Sequence, residues 1–188
     1  MRSVEELIRG KTDLNGVQIA HLQRLSSDWQ LIADLSFADL AIWVPIKDSG
    51  FIAMSHVRAA TAATVFPKDF EGEIRADLPS GESVESFPIA INGQAIAQLT
   101  RHRNPMATRS LGRLESTYQE IAQQLIEMVG EGTFPFDFAI SSLNPSPRVG
   151  DGFICLDKSG VIAYASPNGR SAFSRLGWEG ELEGIKLV

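Results

Sequence analysis

The chain has 188 residues, 44% hydrophobic and 21% charged, with a formal net charge of −6 at pH 7. That length holds one ample domain, or one domain and part of another, and the composition is that of an ordinary globular fold. The acidic balance argues against a nucleic-acid surface, the single cysteine (Cys155) excludes an internal disulfide framework or a multi-cysteine metal site, and no apolar run approaches the ~20 residues of a membrane span.

The N-terminus has no apolar signal core, so a cytoplasmic location is expected. Ser3 and Glu6 have capping-box spacing, which predicts a short helix from Val4, ended by Gly10. Leu22, Leu25, Trp29 and Ile32 recur at three and four residues and predict a helix over Asn15–Asp34. "DLAIWVPI" (Asp39–Ile46) is β-branched and aromatic, hence strand-like; "KDSG" is turn chemistry, and "FIAMSHVR" (Phe51–Arg58) reads as the hairpin partner. Ala59–Gly81 follows as a long connection with little periodicity, of a length usually kept for function or for a small helix.

"ESVESFPIAI" (Glu82–Ile91) places Phe87, Ile89 and Ile91 on one face. Asn92-Gly93 is the strongest hairpin signal in the chain, because both positions tolerate positive φ, and Gln94–Arg101 is the returning strand. Pro88 predicts an edge strand or a bulge. Arg113–Val129 is the clearest helix, with Leu114, Tyr118, Ile121, Leu125 and Met128 in one stripe and Gly130 placed to stop it. Gly130–Gly150 is rich in Pro, Gly and Ser and reads as a linker that Phe134, Phe136 and Phe138 could pin to a neighbour. "VGDGFICLDKSGVIAYASPNGRSAF" (Val149–Phe173) then reads as strand, tight turn, strand and helix start. The fold class is α+β, with an antiparallel sheet and flanking helices followed by a new hairpin.

"WQLIADLSFADLAIWV" (Trp29–Val44), "EGTFP" (Glu131–Pro135) and "SPRVGDGFICLDKSGVIAYASPNGRSAFSRLG" (Ser146–Gly177) resemble the sensory region of PdtaS-type cytosolic sensor histidine kinases. The resemblance runs from about Leu22 to Val188 and is weakest over Ala59–Gly81. It implies a GAF-like sensory domain over residues 1–130, a linker over 131–149 and the N-terminal part of a PAS domain over 150–188. Complete PAS domains need about a hundred residues, so this one is expected to be truncated and the chain to be the N-terminal piece of a longer protein. Phe153, Ile154, Leu156, Val161, Ile162 and Tyr164 would then lack their covering strands, and a bare hairpin is marginal in water. Packing of this fragment on the first domain or on a second chain is one remedy.

The resemblance further implies a regulatory region, without catalysis of its own, that controls an autophosphorylating kinase domain downstream in cis. ATP is expected as the cofactor of that domain, and none is evident for this chain. The expected partners are a second copy, through terminal helices, and a response regulator of the RNA-binding antiterminator type. No membrane and no direct nucleic-acid partner is expected. GAF and PAS units also control cyclases, phosphatases and transcription factors, and the sequence beyond Val188 would discriminate.

The residues carry no catalytic motif. No phosphate-binding glycine loop, nucleophile elbow or HExxH helix occurs. His102, in "RHRNP", reads as an ordinary surface or hairpin-end histidine, and His21 as helix surface or partial core. Asp34 and Asp39 read as closing a helix and leading into a strand. Cys155, with only Lys158 as a basic neighbour, reads as structural. Trp43, His56, Phe66 and Phe87 are the candidate lining of a sensory pocket between the sheet and the long connection. The same four also read as plain core, and sequence does not separate the two readings. No metal ligand set is found.

Overall fold

The structure is a computed structural model that describes residue 8 and residues 10–106, 112–135 and 147–187. Two compact units divide the chain, Met1–Ser146 and Pro147–Val188.

In the first unit, helix α1 (Gly16–Asp28) starts from a reciprocal cap. The Gln18 amide donates to the Asn15 side chain at 3.0 Å, and the Asn15 amide donates back to Gln18 at 2.9 Å. The long helix expected over Asn15–Asp34 is two helices: α1 ends at Trp29 and α2 (Gln30–Ser36) begins there. The break is a bend, since the Ala33 amide still donates to the Trp29 carbonyl. With it, Leu22 and Leu25 of α1 and Ile32 and Ala33 of α2 all reach one core. Phe37, at φ 50°, closes α2 in the left-handed region. The expected Val4 helix falls outside the described residues, except that Ile8 is helical and fully buried.

Strands β1 (Ala38–Pro45), β2 (Phe51–Val57), β3 (Ile74–Arg75), β4 (Val84–Ile91) and β5 (Gln94–Arg103) form one antiparallel sheet, ordered β3-β2-β1-β5-β4. Asn92 (φ 51°) and Gly93 (φ 76°) make the β4–β5 turn with both positions left-handed, as the dipeptide predicts. Pro88 meets the edge-strand expectation, and the register of β4 against β5 shifts a little further on, between Ile89 and Ala90.

Period-two alternation splits the sheet into two faces. Leu40, Ile42, Val44, Ile52, Met54, Ile89 and Leu99 pack with α1, α2 and helix α3 (Arg113–Glu131) in the main core. Ala41, Trp43 and Ala53 point the other way, into a cluster with Phe66 of the long connection. Gly130 does not stop α3. The cap is Gly132, at φ 75°, whose amide donates to the Met128 and Val129 carbonyls. Of the three linker phenylalanines, Phe134 packs on the main core, while Phe136 and Phe138 lie outside the described residues.

The second unit pairs β6 (Ile154–Leu156) with β7 (Ile162–Ala165) and continues into α4 (Pro167–Arg175). Asp157 shapes the turn by accepting from the Ser159 and Val161 amides. Ser166 caps α4, accepting from Gly169, and its hydroxyl also accepts from the Phe153 amide at 2.9 Å, which ties strand to helix. The hairpin is less bare than its sequence suggests. Ile162 is buried with Ala165 and Leu182, because the segment after α4 returns and bridges Val161 through Lys186. Leu156 stays 40% exposed. No helix among the described residues is long and apolar enough to cross a membrane.

Candidate functional site

The helix-free face of the sheet is covered by the connection between β2 and β4, and a cavity of about 430 Å³ lies beneath it. Its apolar wall is Trp43 of β1 with Val65, Phe66, Pro67 and Phe70 of the connection. Trp43 stacks on Phe70 at 5.8 Å between ring centres, and Phe66 meets Phe70 edge-on at 4.8 Å. The Trp43 indole is 1% exposed and its Nε1–H donates to the Thr100 hydroxyl at 2.9 Å. Burying an indole leaves its N–H in need of an acceptor, and β5 supplies one.

The sequence-nominated residues do not all meet there. Trp43 and Phe66 line the cavity. His56 sits behind it, stacked on Phe70 at 4.7 Å and edge-on to Phe66 at 5.7 Å, with Nε2 3.2 Å from an Asp69 carboxylate oxygen. Phe87 is on the opposite face. It packs against the helical core, with the Arg101 guanidinium 5.0 Å over its ring. Its register explains why: Phe87 pairs with Leu99, itself a main-core residue.

His102 is at the end of its hairpin strand, one of the two readings the sequence offered, but it is not an open surface residue. It lines the cavity, its ring is 4.9 Å from that of Phe66, and its Nε2 is 2.8 Å from the Thr100 hydroxyl. Burial pushes its pKa down to about 4, with the Asp39 charge opposing and the Arg75 charge assisting. It is therefore neutral at physiological pH. The signal for it was strand parity: His102 follows Thr100 and Gln98 on the face that carries Trp43, once Trp43 is known to pair with Gln98.

Two buried carboxylates hold the covering connection in place. Asp39, 2% exposed, accepts from the Ala59 and Val65 amides at 3.0 and 2.7 Å and from the Thr64 hydroxyl. Asp34, 1% exposed, accepts from the Ala60 amide at 2.8 Å and from Gln30 at 2.9 Å. The Thr61 hydroxyl donates to the Asp34 carbonyl. These residues do more than end a helix and open a strand: they tie the roof of the cavity to the α2–β1 junction. Further along, Asp69 is gripped by Arg58 at 2.9 Å, which holds its carboxyl below the usual range. The Gly72 amide donates to the Ala53 carbonyl on β2.

Lys68, Glu73, Arg75 and Arg103 are also among the lining residues. Arg75 lies 5.3 Å over the Trp43 ring and donates through Nε to Glu73 at 2.8 Å. Arg103 shares Glu85 with Arg101, at 3.2 and 2.9 Å. Burial opposes it, but the Arg101 hydrogen bond and both arginine charges hold Glu85 below its ordinary range. Among the described residues no group of three or more His, Cys, Asp and Glu is placed to hold a metal ion. Cys155 lies in the second unit, and burial raises its thiol pKa, the opposite of an activated thiolate.

Comparison with known proteins gives a consistent picture. Residues 4–82 match the family described as "Histidine kinase PdtaS, GAF domain". The chain is 37% identical over 216 aligned residues to "Sensor histidine kinase PdtaS" of Mycobacterium tuberculosis (strain ATCC 25618 / H37Rv). It is 35% identical to the protein of the same name from Mycolicibacterium smegmatis. Both alignments take in the whole chain and 43% of the relative, so the chain spans less than half the length of these curated relatives. A solved structure described as "Sensor region of a sensor histidine kinase" superimposes with a TM-score of 0.84 at 40% identity, over 100% of this chain and 73% of that one.

Proposed function

The chain belongs to the family of PdtaS sensor histidine kinases, as their N-terminal sensory region with its GAF domain, and from that premise we propose that the roofed cavity is its signal-receiving site. The observation that carries this reading is the cavity itself. Its lining is mostly apolar, with Trp43, Phe66 and Phe70 among it, and its roof is tied by Asp34 and Asp39 to the helix–strand junction. Occupancy shifts the roof; the roof moves α2, and α2 packs on α3. Two arrangements of these helices then set the output of a kinase domain that lies, in the relatives, beyond the matched region.

In the longer protein that domain takes the γ-phosphoryl group of ATP onto a histidine and passes it to a response regulator. The strand–turn–strand–helix order of the second unit supports its being the start of a PAS domain. The exposed apolar residues Val17 of α1 (65%) and Leu114 of α3 (44%) support pairing of two copies through these helices.

The test is made on the intact kinase. Val84→Trp, at the cavity wall, should fill the space without touching the main core and should change the rate of autophosphorylation from ATP about fivefold or more, in either direction. An unchanged rate in a folded variant whose cavity is filled would rule the cavity out as the signalling site.

A further inference from the structure

We propose that His56 is a proton-operated latch of the roof: protonation at Nδ1 lets the ring bind Asp69 and Glu71 together, so that Phe66–Glu73 closes more tightly on the sheet as the pH falls. This goes beyond the reading of the cavity as a ligand site and holds whether or not a ligand enters.

The ring of His56 stands between two carboxylates of the roof. Its Nε2 is 3.2 Å from an Asp69 oxygen and its Nδ1 is 3.8 Å from a Glu71 oxygen. A neutral imidazole has one N–H and can donate to one side only. With that proton on Nε2, toward the nearer carboxylate, Nδ1 turns a lone pair to Glu71. The side chain is 5% exposed, and Nδ1 is buried without a hydrogen-bond partner. A second proton makes both nitrogens donors, and each then meets an anion. Burial opposes the charge. The two carboxylates favour it, and so does the face of Phe70, stacked at 4.7 Å.

The surrounding charges leave this task to His56 and Glu71. Arg58, just past the end of β2, holds Asp69 at 2.9 Å and donates through Nε to the Phe66 carbonyl at 3.1 Å, whatever the state of the ring. Among the described residues, Glu71 has no other cation at ion-pair distance. Glu73 is paired with Arg75. On β1, His56 pairs with the uncharged Ala41, and Asp39 is engaged with Ala59, Thr64 and Val65. On β5, His102 meets the same Phe66 ring, but with a pKa of about 4 it stays neutral near physiological pH. Immediately after Glu71, the roof is joined to β2 by the Gly72 amide on the Ala53 carbonyl and the Ala53 amide on the Glu73 carbonyl. A closure that takes up a proton is favoured in acid and lost as the pH rises.

Amide exchange of the whole chain reads the latch at Gly72 and at Glu73, whose amide donates to the Phe70 carbonyl. After correction for intrinsic exchange, both amides should slow about fivefold or more between about pH 7.5 and about pH 5.5. The nitrogen-15 shifts of the His56 ring should move with the same midpoint. His56→Phe keeps a ring against Phe70, cannot take up a proton, and should abolish the slowing. Glu71→Gln removes the anion at Nδ1 from a partly exposed position and should cut the slowing to about twofold or less. If His56→Phe does not fold, Glu71→Gln decides alone. Exchange that is flat across this range, or a slowing that survives either substitution in a folded chain, would overturn the latch.

Discussion

His102 is where a single side chain differs most from its sequence context. Between two arginines at a strand end it reads as exposed, yet it is held at a pKa of about 4, chiefly by burial. A histidine whose folded pKa lies below its unfolded value of ~6.5 binds fewer protons when folded. Its contribution to stability is complete above about pH 6.5 and is lost as the pH falls toward 4. Allowing for its partial exposure, that is about 1–2 kcal/mol. His102→Gln keeps a polar partner for Thr100 and cannot titrate. Urea midpoints measured between about pH 4.5 and 7.5 should therefore fall less steeply on the acid side in the variant. Equal acid slopes would show that another group titrates there. Phe87 teaches the complementary lesson. Its parity with Ile89 and Ile91 was legible, but which face that parity serves was not, since only the pairing with Leu99 puts it under the helices.

At the scale of elements, α3 and β4 meet at a place where two glycines do opposite jobs. Gly130 is helical, and a Cβ there would stand 3.5 Å from the Pro88 carbonyl oxygen, an ordinary contact. Gly132 is left-handed, and a Cβ would come within 2.9 Å of the Ala90 carbonyl oxygen. Gly130→Ala should leave stability unchanged or raise it by up to about 1 kcal/mol, through helix propensity. Gly132→Ala should cost about 1–3 kcal/mol, through strain and displacement of β4. Thermal or chemical unfolding of the pair reads the sign directly, and equal effects would refute this account of the cap. Sequence reasoning assigned the stop to the first glycine because both fit the C-cap pattern. What decides is where β4 runs, which is long-range information.

For the molecule as a whole, the regulatory reading depends on helices that have a second use. α3 buries Ile121, Ala122, Ile126 and Val129 on its own sheet and leaves Leu114 at 44% exposure. If two copies pair through this helix, the chain should sediment as a dimer at micromolar concentration. Leu114→Glu should then lower the dimer fraction about tenfold or more, with the far-ultraviolet spectrum unchanged. A wild-type monomer, or a dimer indifferent to the substitution, would show that α3 serves only its own sheet.

Periodicity, turn chemistry and capping act over a few residues, so the body of α3, the helical character of Asn15–Asp34 apart from its break at Trp29, the Asn92-Gly93 hairpin and the edge position of Pro88 were already present in the order of the amino acids. The family likeness was legible too, because long strings of matched residues carry it. The cavity was not. Trp43, Arg75 and His102 come from three strands separated by up to 59 positions, brought together only by sheet pairing and by the roof that Asp34 and Asp39 tie down. Enclosure is a property of what lies across the sheet, and local sequence contains no measure of that distance.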